Sequence, residues 1–300
     1  MFRADGSLTL TFEIPDSRAI PRFEQPIAHY TSVAGAVSIL TSNEIWVTNA
    51  AFLNDAKELR HGIDHADAWW HQHSDRVDAA TRELIDRLLP LSVEMFSADR
   101  FFVLSASAAL EDVGQFDRYG AVSIQLDPSA TLYPPDNRVG FPHSMKFDSL
   151  MPGWRQVAYE HDEKDRRTGN FFDAVAAHIR TKPGWAPQPN EILTEWYSWW
   201  YAHLIAGMKD RRFSSEAEVR YIIMTERSFD DVRTREGKFG ITPYVAAQHL
   251  KGQESHLPLP VTELVVSPRA WGPEVEAKLT AALTQAGISA GVRNSDVGWR

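Results

Sequence analysis

The segment Glu218–Met224, EVRYIIM, leaves little conformational choice. Valine, tyrosine and two isoleucines in succession favour a strand. That strand is entered through a carboxylate pair, Glu216 and Glu218, with Arg220 two positions further on. Side chains two apart along a strand share a face, so the spacing predicts that all three project together. Two neighbouring carboxylates repel, which raises one pKa unless a cation relieves them. Arg220 is placed to do so, and the cluster would then be an ion network; without that relief the pair is poised for chemistry.

The remaining pattern interleaves strands with helices. Strands are expected at LTLTFEI (Leu8–Ile14), IAHYTS, EIWVTN, FFVLSAS and AVSIQLD, with a short helix, VAGAVSIL, after the second. Asn54 or Asp55 would cap a helix running through AKELRHGIDHADAWWHQH. A second helix, DAATRELIDRLLPLSVEMF, should be interrupted near Pro90, which lacks an amide hydrogen. ALEDVGQFDRYG reads as a polar turn and HDEKDRRTG as a solvated, charged loop. In NEILTEWYSWWYAHLIAGM, Ile192, Trp196, Trp199, His203 and Gly207 recur at helical spacing. The tail gives strand, helix and strand. The class is α+β: an N-terminal strand and connector over 1–25, then one domain over 26–300 with helical insertions at about 55–99 and 170–210.

Composition removes several functions. The chain has 300 residues, 43% hydrophobic and 24% charged, as in ordinary globular proteins. Its formal charge of −9 argues against a protein built mainly to grip phosphate backbones. With no cysteine there is no disulfide, thiol nucleophile or thiolate zinc site. No signal-peptide pattern opens the chain and no apolar stretch approaches the roughly 20 residues needed to cross a bilayer, so a cytoplasmic protein is expected. Ten tryptophans point to a large aromatic core or to stacking surfaces for a flat ligand.

Four further constellations bear on function. In HYTS, His29 and Thr31 share a strand face and could both meet one ligand, with Ser32 following. Asn54, Asp55 and Glu58 form a capping-box-like set. Ser105 ends a strand ahead of a polar turn containing Phe116 and Tyr119, a suitable ligand wall. Glu58, His61 and His65 fall on one helical face, where two histidines four apart can bind a divalent metal. The glutamate of the zinc-protease pattern is missing, and no metal is expected in the leading interpretation.

The order of HYTS, IWVTNAAFLNDAKE, FFVLSAS…EDVGQFDRYGAVSIQLD, FSSEAEVRYI, TPYV and ELVVSP…GP, closing on VRNSDVGWR, resembles a bacterial family catalogued as domain of unknown function 2971. The likeness spans about Ile27 to Arg300, with phenylalanine at Phe116 where that family has tryptophan. A strand-borne H-x-[ST], a helix and a late strand opening with E-x-E also look like the ADP-ribosyltransferase fold, a mixed or antiparallel β core with flanking helices. That resemblance implies NAD as substrate. His29 and Thr31 would hold a ribose, Glu218 would grip the nicotinamide ribose and assist its departure, and Glu216 would face the acceptor. Ser32, Asn54, Ser105 and Tyr119 would complete the NAD contacts, with Tyr119, Phe116 or Tyr30 stacking on nicotinamide.

The resulting expectation is an NAD-dependent ADP-ribosyltransferase or NAD glycohydrolase acting on a protein or nucleic-acid acceptor. A toxin or antiphage role, restrained by an antitoxin or inhibitor protein, is compatible with such an enzyme. Two rivals remain open: a metal-dependent hydrolase or nuclease using Glu58, His61 and His65, and a non-catalytic binding module in which Glu216, Glu218 and Arg220 only stabilise.

Overall fold

The computed structural model describes residues 21–53, 57–97, 101–134, 153–181, 191–225, 231–237, 240–251 and 255–298. The strand expected at Leu8–Ile14 and the cap expected at Asn54 lie outside these residues.

Glu218–Met224 is a strand (β7), paired antiparallel along its whole length with β3 (Phe101–Ser107). Its side chains alternate between two apolar cores. Ile222 joins a core built with the helices α2 (Lys57–His73), α3 (Ala79–Ser97), α5 (His161–Thr181) and α6 (Glu191–Ala206). Val219, Tyr221 and Ile223 join a second core, with Ala36 and Leu40 of α1 (Val33–Ser42) and Leu279 and Leu283 of α7 (Pro273–Gln285). A strand apolar on both faces is thus explained by a sheet covered on both sides.

The sheet is mixed. The other strands are β1 (Ile27–Thr31), β2 (Ile45–Asn49), β4 (Val122–Leu126), β5 (Thr131–Tyr133), β6 (Trp154–Gln156), β8 (Arg233–Gly237), β9 (Gly240–Lys251), β10 (Ser255–Leu257), β11 (Val261–Val266) and β12 (Gly291–Asn294). Its main path runs β10-β9-β2-β3-β1-β4-β11-β12, with β7 on the other edge of β3 and β6 beyond it. All described pairings between these strands are antiparallel except β11 with β12. An α+β chain with flanking helices is what the alternating pattern called for.

One edge of β3 is divided between two partners. Val103 and Phe102 pair with Thr48 and Asn49 of β2, whereas Ser107 pairs with Ala28 of β1. No described pairing joins β1 to β2, so the two strands meet β3 at separate positions along its edge.

Three expectations need correction. HDEKDRRTG is not a loop but the opening of α5: Asp162 and Glu163 stand in its first turn, where the helix dipole favours acids, and Glu163 binds Arg166 and Arg167 at helical spacing. GQFDRYG lies in a helix, α4 (Val113–Tyr119), because Asp112 caps it by accepting the Gln115 amide at 2.9 Å. Pro90 does not interrupt α3, which continues to Ser97 with the ring on its exposed side.

Two glycines are required by close approach. A Cβ on Gly62 of α2 would lie 2.2 Å from the Ile205 carbonyl oxygen of α6. A Cβ on Gly120 would lie 2.4 Å from the Thr31 carbonyl carbon, and its φ of +131° is itself unfavourable for other residues. Gly62→Ala is therefore expected to destabilise by ~1–3 kcal/mol through overpacking against backbone. Gly291→Ala, where nothing lies within 4 Å, should change stability little; urea denaturation of both variants tests this.

Candidate functional site

Glu216 and Glu218 do converge, but not by strand alternation. Arg211–Glu216 forms a 3-10 turn, Ala217 adopts the left-handed conformation (φ 44°, ψ 43°), and the strand begins only at Glu218. The sequence alone suggested a regular strand; the corner arises because the Glu216 carbonyl is held elsewhere. It accepts from the Ser107 hydroxyl at 2.7 Å and from Gln115 Nε2 at 3.2 Å. The Ala217 carbonyl accepts from the Ala108 amide at 2.8 Å.

Between the two carboxylates lies Lys209, 5% exposed. Its Nζ donates to Glu216 Oε2 at 2.6 Å and to Glu218 Oε2 at 3.0 Å. Arg220, 1% exposed, grips Glu218 through Nε at 2.8 Å and Nη2 at 2.9 Å, and its Nη1 donates to the Ala206 carbonyl at the end of α6. Glu216 also pairs with Arg118 of α4, whose side chain is 56% exposed, and accepts from the Tyr119 hydroxyl at 3.3 Å. Two carboxylates thus face three cations. Burial alone would raise the Glu218 pKa, but the charges of Arg220 and Lys209 and the Ser105 hydroxyl override it and hold the value at about 2.

Ser105 sits opposite Arg220 in the β3–β7 register. Its hydroxyl adds to what keeps the Glu218 pKa low, and its carbonyl accepts from His29 Nδ1 at 3.1 Å. This contact puts the imidazole hydrogen on Nδ1 and leaves Nε2 as an acceptor. Burial lowers the His29 pKa, the Ser105 carbonyl opposes that, and nearby Arg235 adds to it. Arg235, from β8, packs 5.3 Å above the Trp46 ring and 5.9 Å from that of Tyr244, and donates to the Thr48 hydroxyl at 3.0 Å. It has no carboxylate partner among the described residues. Trp46 is 39% exposed, unusually open for its size.

The other expected site residues separate into distinct roles. Ser32 is the N-cap of α1, accepting the Gly35 amide at 3.0 Å. Thr31 is half-buried and its hydroxyl lies against Gly35. Of the three aromatics considered for stacking, Phe116 and Tyr30 are buried against each other, with the Tyr30 hydroxyl donating to the Ala109 carbonyl. Tyr119 is 39% exposed. Asn54 and the side chain of Glu58 lie outside the described residues. His61 Nε2 is 2.9 Å from Lys164 Nζ, and burial lowers the pKa of both groups.

Sequence reasoning missed Lys209, Arg118, Trp46 and Arg235. Lys209, in the basic run KDRRF, is buried, while Arg211 pairs with Glu160 and Arg212 with Asp210. Arg235 carried no local signal, since its partners Thr48 and Trp46 are far away in the chain. No protein-family model, curated protein or solved structure matches the chain.

Two outcomes follow for stability. A carboxylate with a depressed native pKa stabilises the fold above its unfolded value, and that contribution is lost as pH falls from about 4.5 toward about 2. Glu218→Gln should therefore flatten the acid limb of the stability-versus-pH curve, a term of about 3 kcal/mol in the wild type. Lys209→Met, which removes the buried cation between the two carboxylates and leaves Glu216 to Arg118 and Glu218 to Arg220, is expected to cost ~3–5 kcal/mol at neutral pH in denaturant titrations.

Proposed function

We propose that the chain binds NAD where β1, β3 and β7 lie side by side and breaks its nicotinamide–ribose bond, passing the ADP-ribosyl group to an acceptor or to water. The observation that carries this proposal is that β3 brings together strands distant in sequence: His29 of β1 bonds the Ser105 carbonyl of β3, which pairs with β7 where Glu218 begins. Neutral His29 would accept from a ribose hydroxyl through Nε2. Glu218, ionised throughout the physiological range, is too weak a base to take a proton at neutral pH, but it can order a hydroxyl and stabilise a sugar becoming cationic. Tyr119 is the accessible aromatic for nicotinamide. Arg235, whose charge acts on His29, and Trp46 beneath its guanidinium would take a phosphate and the adenine ring.

In the reaction the C–N electron pair leaves with nicotinamide, cancelling its positive charge. The sugar carbon bonds to the acceptor, whose proton passes to Glu216 or to water. Movement of the solvent-exposed Arg118 would free Glu216 Oε1 for this, while Lys209 keeps hold of Oε2.

The count of three cations against two carboxylates favours one other interpretation, a structural ion network in a non-catalytic module. Nicotinamide release from NAD separates the two. Catalysis predicts release by the wild type and a loss of ~100-fold or more for Glu218→Gln, with a comparable fall for His29→Ala, whose substitution leaves the Lys209 network intact. A wild type that binds no NAD, or variants altered only in melting temperature, would establish the structural role.

A further inference from the structure

Away from the glutamate pair, the helical lobe gathers a second set of titratable groups. His65 projects from α2, and His161 and Asp165 occupy one face of α5 at i and i+4. His65 Nε2 lies 3.1 Å from Asp165 Oδ1, and His161 Nδ1 lies 3.1 Å from Asp165 Oδ2. One potential ligand atom from each residue falls within 4.8 Å of the others. The two imidazole rings are 5.2 Å apart at 71°.

These contacts are close but do not satisfy the histidine. His65 Nε2 is buried and makes no hydrogen bond, although Asp165 is within ion-pair distance, so the carboxylate is out of line with the ring nitrogen. A buried, unsatisfied ring nitrogen is costly. Two ligand atoms bonded to one zinc at ~2.0–2.1 Å in tetrahedral array stand ~3.3 Å apart; each histidine nitrogen is 3.1 Å from a different oxygen of Asp165, and one ligand atom from each of the three residues lies within 4.8 Å of the others. Burial lowers the His65 pKa against the pull of Asp165, with His161, Lys164 and His61 adding to the lowering. Lys164, the nearest lysine, directs its ammonium to His61.

We propose that His65, His161 and Asp165 form a site for a divalent first-row metal of the zinc class, which ties α2 to α5. Two imidazoles and one carboxylate select such an ion over calcium or magnesium, which prefer all-oxygen sets. Three protein ligands leave a coordination position for water or another group. This set shares His65 with the rival metal set read from the sequence, but Glu58 and His61 are replaced by His161 and Asp165, almost a hundred positions away. The site is independent of the NAD proposal.

The test is titration of the metal-free full chain with cobalt(II), followed by its visible absorption, and with zinc, followed by melting temperature. The wild type should develop ligand-field bands and melt higher with zinc. His161→Ala, at a side chain 78% exposed and so safe for folding, and Asp165→Asn should each weaken cobalt affinity by ~10-fold or more. His71→Ala, an exposed histidine of α2 outside the cluster, should bind like the wild type. Absence of a protein-dependent band would overturn the site. So would equal affinity in the wild type and His161→Ala, or equal loss in all the histidine variants.

Discussion

A single buried ammonium holds the corner of this protein together. Lys209 lies after α6, Glu216 ends the following turn and Glu218 opens β7, so one charge fastens a helix terminus, a loop and a strand. Without it the two carboxylates would face each other in a low-dielectric interior, where repulsion is poorly screened. Arg220 completes the arrangement from the strand itself, bonding both Glu218 and the last carbonyl of α6. Helical lobe and sheet are therefore joined at this corner through polar contacts.

The second organising element is β3. It is bonded along its whole length to β7 on one side and successively to β2 and β1 on the other. Its residues share the work in alternation: Phe101 and Val103 serve the helical core, Phe102 and Leu104 the opposite one, and Ser105 and Ser107 supply polar groups where the apolar pattern ends. His29, on a strand that has separated from β2, reaches the same neighbourhood through the Ser105 carbonyl.

Much of the fold was legible because periodicity is a local property. The strands around Ile27, Ile45, Phe101, Val122 and Glu218 and the helices around Val33, Ala79 and Glu191 announced themselves by alternation or by helical spacing. The misreadings have local causes as well. HDEKDRRTG looked like loop because its charges hid a helix whose apolar face begins later, at Phe171 and Phe172. The left-handed Ala217 was invisible, since that conformation usually advertises itself by glycine or asparagine. The site was half legible: the glutamates, His29 and Ser105 were found from their own neighbours, whereas Lys209, Arg118 and Arg235 matter through partners that only tertiary structure supplies.

The bond from His29 ends on a main-chain oxygen, not on a side chain. Position 105 is thus under two separable demands. Its hydroxyl serves Glu218, but any amino acid there presents the same carbonyl to the imidazole. Drift at this position over generations would erode one polar link while leaving the ring's tautomer undisturbed, so descendants carrying alanine or glycine in its place could retain a correctly set histidine.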